Sequence, residues 1–280
     1  MEIWLAWFSG EGQCGPDVKA IAEAAEELGY AGVALSDHVA LPKRQTALHP
    51  IQKIAYDPHI PNPEPISVTA TMAAVTHRLR FMTYAYVMGM REPFSVAKQT
   101  GALSDLSQGR FALGITPGWQ VDEIALLGHD PKTRGKRFGE ALEVIQGLWK
   151  NDLFSYAGSH YQFQDVGLCP RPIAPPDILV GGHSSASIRR AAQHSGWIGM
   201  NHSVDELTPM LDTLDQLSNG KARKYVIPAA ELSDALLKQF EDLGVTGIVV
   251  MPWPPMQPDF GPATDKIKAM TTLAQRWIRP

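Results

Sequence analysis

Short β-rich runs alternate with helix-period segments eight times along the chain, and this alternation constrains the fold more than any other feature. Ile3 to Phe8 is the first run. Asp17 to Leu28 follows, with Val18, Ile21, Ala22, Ala25 and Leu28 at helical spacing and Gly29 as the stop. Residues 31–36 lack polar alternation, as expected for a strand buried on both faces. The pattern then predicts helix 66–77, strand 79–88, helix 94–106, strand 111–116 and a long helix over 133–149. Strand 178–180, helix 185–194, strand 197–200, helix 204–217, strand 224–227, helix 231–242, strand 247–251 and helix 262–277 complete it. Such alternation implies parallel strands joined by crossover helices, and eight pairs allow closure into a (β/α)8 TIM barrel. A doubly wound open sheet is the alternative. It needs an edge and a switch point, and no Gly-x-Gly-x-x-Gly follows the first strand. The barrel is the preferred reading, with residues 1–280 as a single domain.

Two segments depart from the repeat. Leu41 to Pro65, after the second strand, is proline-rich and too long for an ordinary connector. Residues 153–168 read as a β-hairpin inserted before the fifth strand, with Phe154 and Tyr156 on one arm, Gly158-Ser159 at the turn, and Tyr161 and Phe163 on the other.

Composition excludes several classes of partner. The hydrophobic fraction of 44% and charged fraction of 19% suit a globular protein with a sizeable core. A net charge of −4 without a basic block argues against nucleic acid. Cys14 and Cys169 lack metal-type spacing and read as free thiols of a reducing cytoplasm. The apolar start, Met1 to Phe8, has no basic region before it and reads as a strand rather than a signal peptide. No run is long enough to span a membrane.

In a barrel of this kind the chemistry belongs at the C-terminal ends of the strands. The second strand ends in Ser36-Asp37-His38, where the imidazole can exchange a proton and the carboxylate can orient it. A solvated polar turn explains the same residues. Tyr84 and Tyr86 on the third strand would point the same way by alternation and form a wall for a flat ring, or simply pack the barrel. The fourth strand leads to Trp119, which can stack on a planar ligand, and to Asp122 and Glu123, which can meet a ring edge or merely open a helix. The fifth ends in Gly181-Gly182-His183-Ser184 before a helix, a design for phosphate that also serves as a plain helix cap. The nine histidines form no His-Glu-x-x-His or comparable metal cluster, and no Gly-x-Ser-x-Gly elbow is present.

Leu103 to Phe111, Gly114 to Trp119 with Glu123, Arg134 to Phe138, Leu148-Trp149, the Tyr156 to Phe163 hairpin and Pro170 to Gly182 with Ser184 follow one another in a familiar order. In that order and spacing the chain resembles the luciferase-like flavin and deazaflavin oxidoreductases. Ser36-Asp37-His38 resembles the subgroup that uses the deazaflavin coenzyme F420. The resemblance implies that Asp37 and His38 lie against the coenzyme, with His38 positioning or protonating the reacting ring. It also implies a non-proline cis peptide at Tyr84-Ala85 beneath that ring. One departure stands out. In the sugar-phosphate dehydrogenase branch a catalytic glutamate occupies the position of Trp119, and an asparagine that of Asp122.

The expected function is therefore hydride transfer between coenzyme F420 and a small, apolar organic substrate, with His38 catalytic. Asp37, His38, Tyr84, Ala85, Trp119, Asp122, Gly181, Gly182, His183 and Ser184 are the expected coenzyme contacts. A monooxygenase using reduced FMN and oxygen is the alternative, and a non-catalytic flavin- or deazaflavin-binding protein the second. Trp4, Trp7 and Trp253 suit an apolar or ring-shaped substrate and suit core packing equally. The resemblance further implies a homodimer.

Overall fold

The computed structural model describes residues 1–8, 17–49, 53–253 and 262–278. In chain order the elements are β1 (Glu2–Trp7), α1 (Asp17–Glu27), β2 (Gly32–Leu35), α2 (Pro65–Ala73), β3 (Arg80–Thr83), β4 (Tyr86–Val87), a 3-10 turn (Met88–Met90), α3 (Pro93–Leu106) and β5 (Phe111–Thr116). They continue with α4 (Val121–Leu126), α5 (Arg134–Lys150), β6 (Phe154–Ala157), β7 (Gln162–Val166), β8 (Asp177–Gly181), α6 (Ser185–Ala191) and β9 (Gly196–His202). The last are α7 (Val204–Ser218), β10 (Arg223–Pro228), α8 (Asp234–Asp242), β11 (Gly247–Val250) and α9 (Ala263–Trp277).

Eight of these strands close a parallel ring in the order β1, β2, β3, β5, β8, β9, β10, β11, with β11 returning to β1. Registers such as Leu5 on Val33, Val33 on Phe81 and Phe81 on Phe111 carry the ring around. The barrel expectation is met. Each strand is buried on both faces, so the chain needs two apolar clusters rather than one. Trp4, Met82, Tyr84, Leu179, Ile198, Tyr225 and Val249 fill the inside of the ring. Leu5, Val33, Phe81, Leu113, Val180 and Ile248 face outward onto helix residues such as Ile21, Met72, Val96, Ile145 and Leu211. Burying each such side chain contributes roughly 1.5–3 kcal/mol before entropy is subtracted. Trp4 and Trp7 belong to these two packing layers.

Local chemistry sets the helix starts. Glu64 and Glu92 accept backbone N–H bonds at the N-termini of α2 and α3, each followed by a proline at the first helical position. Ser203 and Glu206 form a reciprocal capping box on α7. The β6–β7 hairpin is antiparallel, as expected, and is fastened to α5 by Glu140, which accepts from the amides of Ser159, His160 and Tyr161.

Two expectations need correction. The run 79–88 is not one strand: β3 stops at Thr83 and the chain resumes as β4 after the cis peptide Tyr84-Ala85. Alternation is reset there, so the two tyrosines do not share a face. Tyr84 reaches into the ring, donating to the carbonyls of Gly199 and, at 3.0 Å, Tyr225. Tyr86 packs in the outer cluster, with Arg91 over its ring at 3.9 Å. Periodicity does not predict α4 as an element, but the helix start read at Asp122 and Glu123 is there, with both acids in its first turn. Cys169 is an exposed free thiol, and Cys14 lies outside the described residues. Among the described residues no helix is long and apolar enough to cross a membrane.

Candidate active site

A cavity of about 520 Å³ opens at the C-terminal ends of the strands. Residues after β2, β3, β5 and β8 and Ile198 to Met200 within β9 line it, because parallel strands in a ring deliver all their C-terminal ends to one rim. Asp37, His38, Tyr84, Ala85, Trp119, Gly181, Gly182, His183 and Ser184 are all brought to its wall. Asp122 is not among the lining residues. Its carboxylate accepts from the Thr46 amide at 2.7 Å, the Thr46 hydroxyl at 2.7 Å and the Ala47 amide at 3.0 Å. These donors hold it below the usual carboxylate range, the Ala47 amide most strongly. Asp122 thus fastens the long loop to the start of α4.

The Asp37-His38 pair is split by the structure. The Asp37 carboxylate has no side-chain exposure and is taken up by Arg91, which donates from both terminal nitrogens at 2.7 and 2.9 Å. The Val87 amide donates to it as well, at 2.7 Å. Burial pushes the Asp37 carboxyl up, against the pull of Arg91 and Val87. Asp37 therefore ties the β2 end to the segment after the cis peptide and does not orient His38.

Glu123 does. His38 Nδ1 lies 2.7 Å from Glu123 Oε2, and the other Glu123 oxygen accepts from the amides of Val39 (2.6 Å) and Ala40 (2.9 Å). Burial pushes the Glu123 carboxyl up, but the His38 bond and the two amides outweigh it, so the carboxyl sits below its usual range. An ionised carboxylate can only accept, so Nδ1 carries the hydrogen and Nε2 is the nitrogen left for proton exchange. In sequence Glu123 is one of two adjacent acids that can meet a ring edge or open a helix, with nothing to pair it with His38.

The long loop folds over this wall. Gln45 donates to the carbonyls of Pro42 (2.9 Å) and Tyr56 (2.6 Å), and accepts from Gln120 at 2.8 Å. It thereby brings His49 and Tyr56 to the cavity as a stacked pair, 5.6 Å apart with planes 7° from parallel. Trp119 sets its edge or face against His38, His49 and Tyr56 at 5.2–5.9 Å between centroids. Burial, and then the charge on His38, lower His49 to about 4.

Across the cavity, Gly182 has φ +120°, and a Cβ there would stand 2.6 Å from the Ser187 hydroxyl. Glycine is needed to let the chain turn this closely. Ser184 caps α6, accepting from the Ser187 amide at 3.2 Å, so the plain-cap reading of that serine also holds. His183 meets His202 with rings 4.2 Å apart, and burial lowers it to about 4. Arg134, noted in the sequence only within the Arg134 to Phe138 motif, lines the same cavity, anchored to the carbonyls of Gly118 (3.0 Å) and Pro131 (2.7 Å). Among the described residues no three His, Cys, Asp or Glu side chains gather in a metal-binding group.

The structure is thus a closed (β/α)8 barrel with a cavity at the C-terminal rim, lined by a glycine turn and an oriented imidazole. The chain belongs to the luciferase-like monooxygenase family, whose model matches residues 8–229. A Mycobacterium tuberculosis protein described as uncharacterised is 32% identical over 269 residues, covering 92% of this chain and 93% of its own. An FMNH(2)-dependent dimethylsulfone monooxygenase of Pseudomonas fluorescens is 31% identical over 54% of this chain and 42% of its own. Among solved structures, the monooxygenase RslO1 from Streptomyces bottropensis has a TM-score of 0.77 at 18% identity, covering 99% of both chains. An F420-dependent secondary alcohol dehydrogenase has a TM-score of 0.66 at 17% identity, covering 81% of this chain and 68% of its own. These likenesses show the fold and the family.

Proposed function

We propose that the chain is a coenzyme F420-dependent oxidoreductase acting on a small, apolar organic molecule. The observation that carries this reading is the buried Glu123–His38 pair, which presents one imidazole nitrogen to a ring-sized cavity. The residues present fit such a coenzyme. Gly181 and Gly182 leave room for close backbone approach, Ser184 and Ser187 supply hydroxyls, and Arg134 is a cation lining the same cavity. Bound F420 would supply a two-electron hydride carrier, and FMN in its place would supply oxygen chemistry.

The chain's own residues would do the rest. Gly181 to Ser184 and Arg134 hold the phosphate. Tyr84 and Ala85 back the ring. Trp119, Tyr56 and His49 exclude water. His38 Nε2 holds or gives up a proton, with Glu123 fixing the tautomer.

Reduced-FMN monooxygenation is the second reading, favoured by the relative described as FMNH(2)-dependent. Titrating the purified protein with each cofactor separates them. Micromolar binding of F420 without FMN binding supports the first reading, and the reverse supports the second. Reduced F420 incubated with enones, quinones and nitroaromatics then tests catalysis, and no oxidation of it in any mixture leaves a carrier. The same reading includes a homodimer, checked by light scattering against the 30.6 kDa chain mass.

A further inference from the structure

Beside the coenzyme cavity lies a second one of about 610 Å³, within the 300–1,000 Å³ typical of small-molecule sites. It sits among the C-terminal ends of β10 and β11, the segment that follows β10, and the last turns of α9. Phe8, His49, Tyr56, Met200 and Met251 line both cavities and so form the wall between them. We propose that this second cavity is a chamber for an uncharged, apolar organic substrate, with the stacked His49–Tyr56 pair as the partition through which its reacting end meets the coenzyme site. The inference rests on the proposed function for that site.

Three observations set the class of occupant. Most of the described lining side chains are aliphatic or aromatic, with Trp253 and Trp277 among them. Among the described lining residues two are ionic, Glu231 and Arg276, and both are exposed and opposite in sign. A charged body entering the interior would lose its hydration and, among the described lining residues, meet no buried counter-charge, whereas an apolar one would gain from leaving water. The phosphate-type features, Arg134 and the Gly182–Ser184 turn, belong to the first cavity alone, so the second does not extend the coenzyme site.

The partition also stands next to the chemistry. Tyr56 is 5.4 Å from the His38 ring between centroids, and His49 is stacked on Tyr56. A molecule lodged in the chamber with one end at this stack is one ring's breadth from the proton-handling imidazole. The remaining body stays against Trp253 and Trp277.

The test uses the whole protein without added cofactor, titrated with the neutral fluorophore N-phenyl-1-naphthylamine. Its anionic counterpart 8-anilinonaphthalene-1-sulfonate carries the same rings with a charge. The neutral probe is expected to bind at least tenfold more tightly than the anion. Ala230→Trp narrows the chamber mouth and Leu273→Glu adds a carboxylate to its wall. Each is expected to weaken the neutral probe at least tenfold, while the affinity for whichever of F420 or FMN the wild-type protein binds changes less than twofold. No binding of the neutral probe to wild-type protein overturns the chamber, as does equal binding by both variants, or displacement of the probe by cofactor. If neither cofactor binds wild-type protein, the functional reading fails separately, and circular dichroism then replaces cofactor affinity as the check that both variants are folded.

Discussion

At the scale of single residues, the site turns on Glu123 holding His38. Replacing Glu123 with Gln keeps the volume but removes the anionic acceptor, leaving the imidazole free to take either tautomer. His38→Ala is expected to lower the rate of reduced-cofactor oxidation by about 100-fold or more, the usual worth of a general acid or base. Glu123→Gln should lower it less and displace one limb of the pH–rate profile; an unmoved profile would show that the pair is structural only. Two further histidines give a stability prediction. His49 and His183 are each lowered to about 4, whereas an unfolded histidine titrates near 6.5. Between those values the unfolded chain binds more protons, so stability falls as pH falls, by at most about 1.4 kcal/mol per pH unit for each histidine. Melting temperature should therefore drop from pH 6.5 toward 4, less steeply in His183→Asn, and an identical slope in that variant counts against the assignment. His38 was legible in the sequence because it directly follows a buried strand. Glu123 was not legible as its partner: the two are 85 residues apart. Neighbouring residues on a helix point about 100° apart, so one of two adjacent acids turns to the barrel and the other to the loop. Nothing in Asp122-Glu123 alone says which.

Elements carry the next set of constraints. The Asp37–Arg91 pair joins the end of β2 to the segment just after β4, with the Asp37 side chain fully buried and Arg91 at 16% exposure. Removing one partner strands a buried charge, so Arg91→Ala should cost about 3–5 kcal/mol in chemical denaturation. A loss well under 1 kcal/mol would mean that water reaches Asp37. The long loop is held differently, by exposed bonds from Thr46 and Ala47 to Asp122. Asp122→Ala should speed amide hydrogen exchange at residues 46 and 47 at least tenfold and leave the barrel strands unchanged. If exchange at those amides does not move, other contacts hold the loop. At this scale the sequence was read closely. β5 has the bounds that periodicity implies, and the other barrel strands and α-helices fall within a few residues of theirs. The failures share a cause. α4 is six residues long, too short for a 3.6-residue period to declare itself, and the interruption at Tyr84-Ala85 leaves an apolar run that looks continuous.

For the whole molecule, the closed ring divides the work between a rigid barrel and the loops at one rim. Every barrel strand is hydrogen-bonded on both sides, and the helices seal the outer face. The cavity wall is drawn instead from segments far apart in the chain, from Phe8 to Met251. A ligand that touches the after-β2, after-β5 and after-β8 segments together binds only the folded ring, so its binding energy adds to folding stability. At a concentration 100 times its dissociation constant that addition is about 2.7 kcal/mol. For a chain of this size each kcal/mol moves the melting temperature by roughly 2–4 °C. The cofactor that belongs to this site should therefore raise melting by about 5–10 °C under those conditions. Arg134→Ala should reduce the shift at the same ligand concentration, because the guanidinium lines the cavity and is proposed to meet the phosphate. Leu153→Ser, at an exposed position beside the hairpin, should not. A cofactor shift that survives Arg134→Ala intact would move the phosphate away from this part of the cavity, and with it the assignment of Gly181 to Ser184.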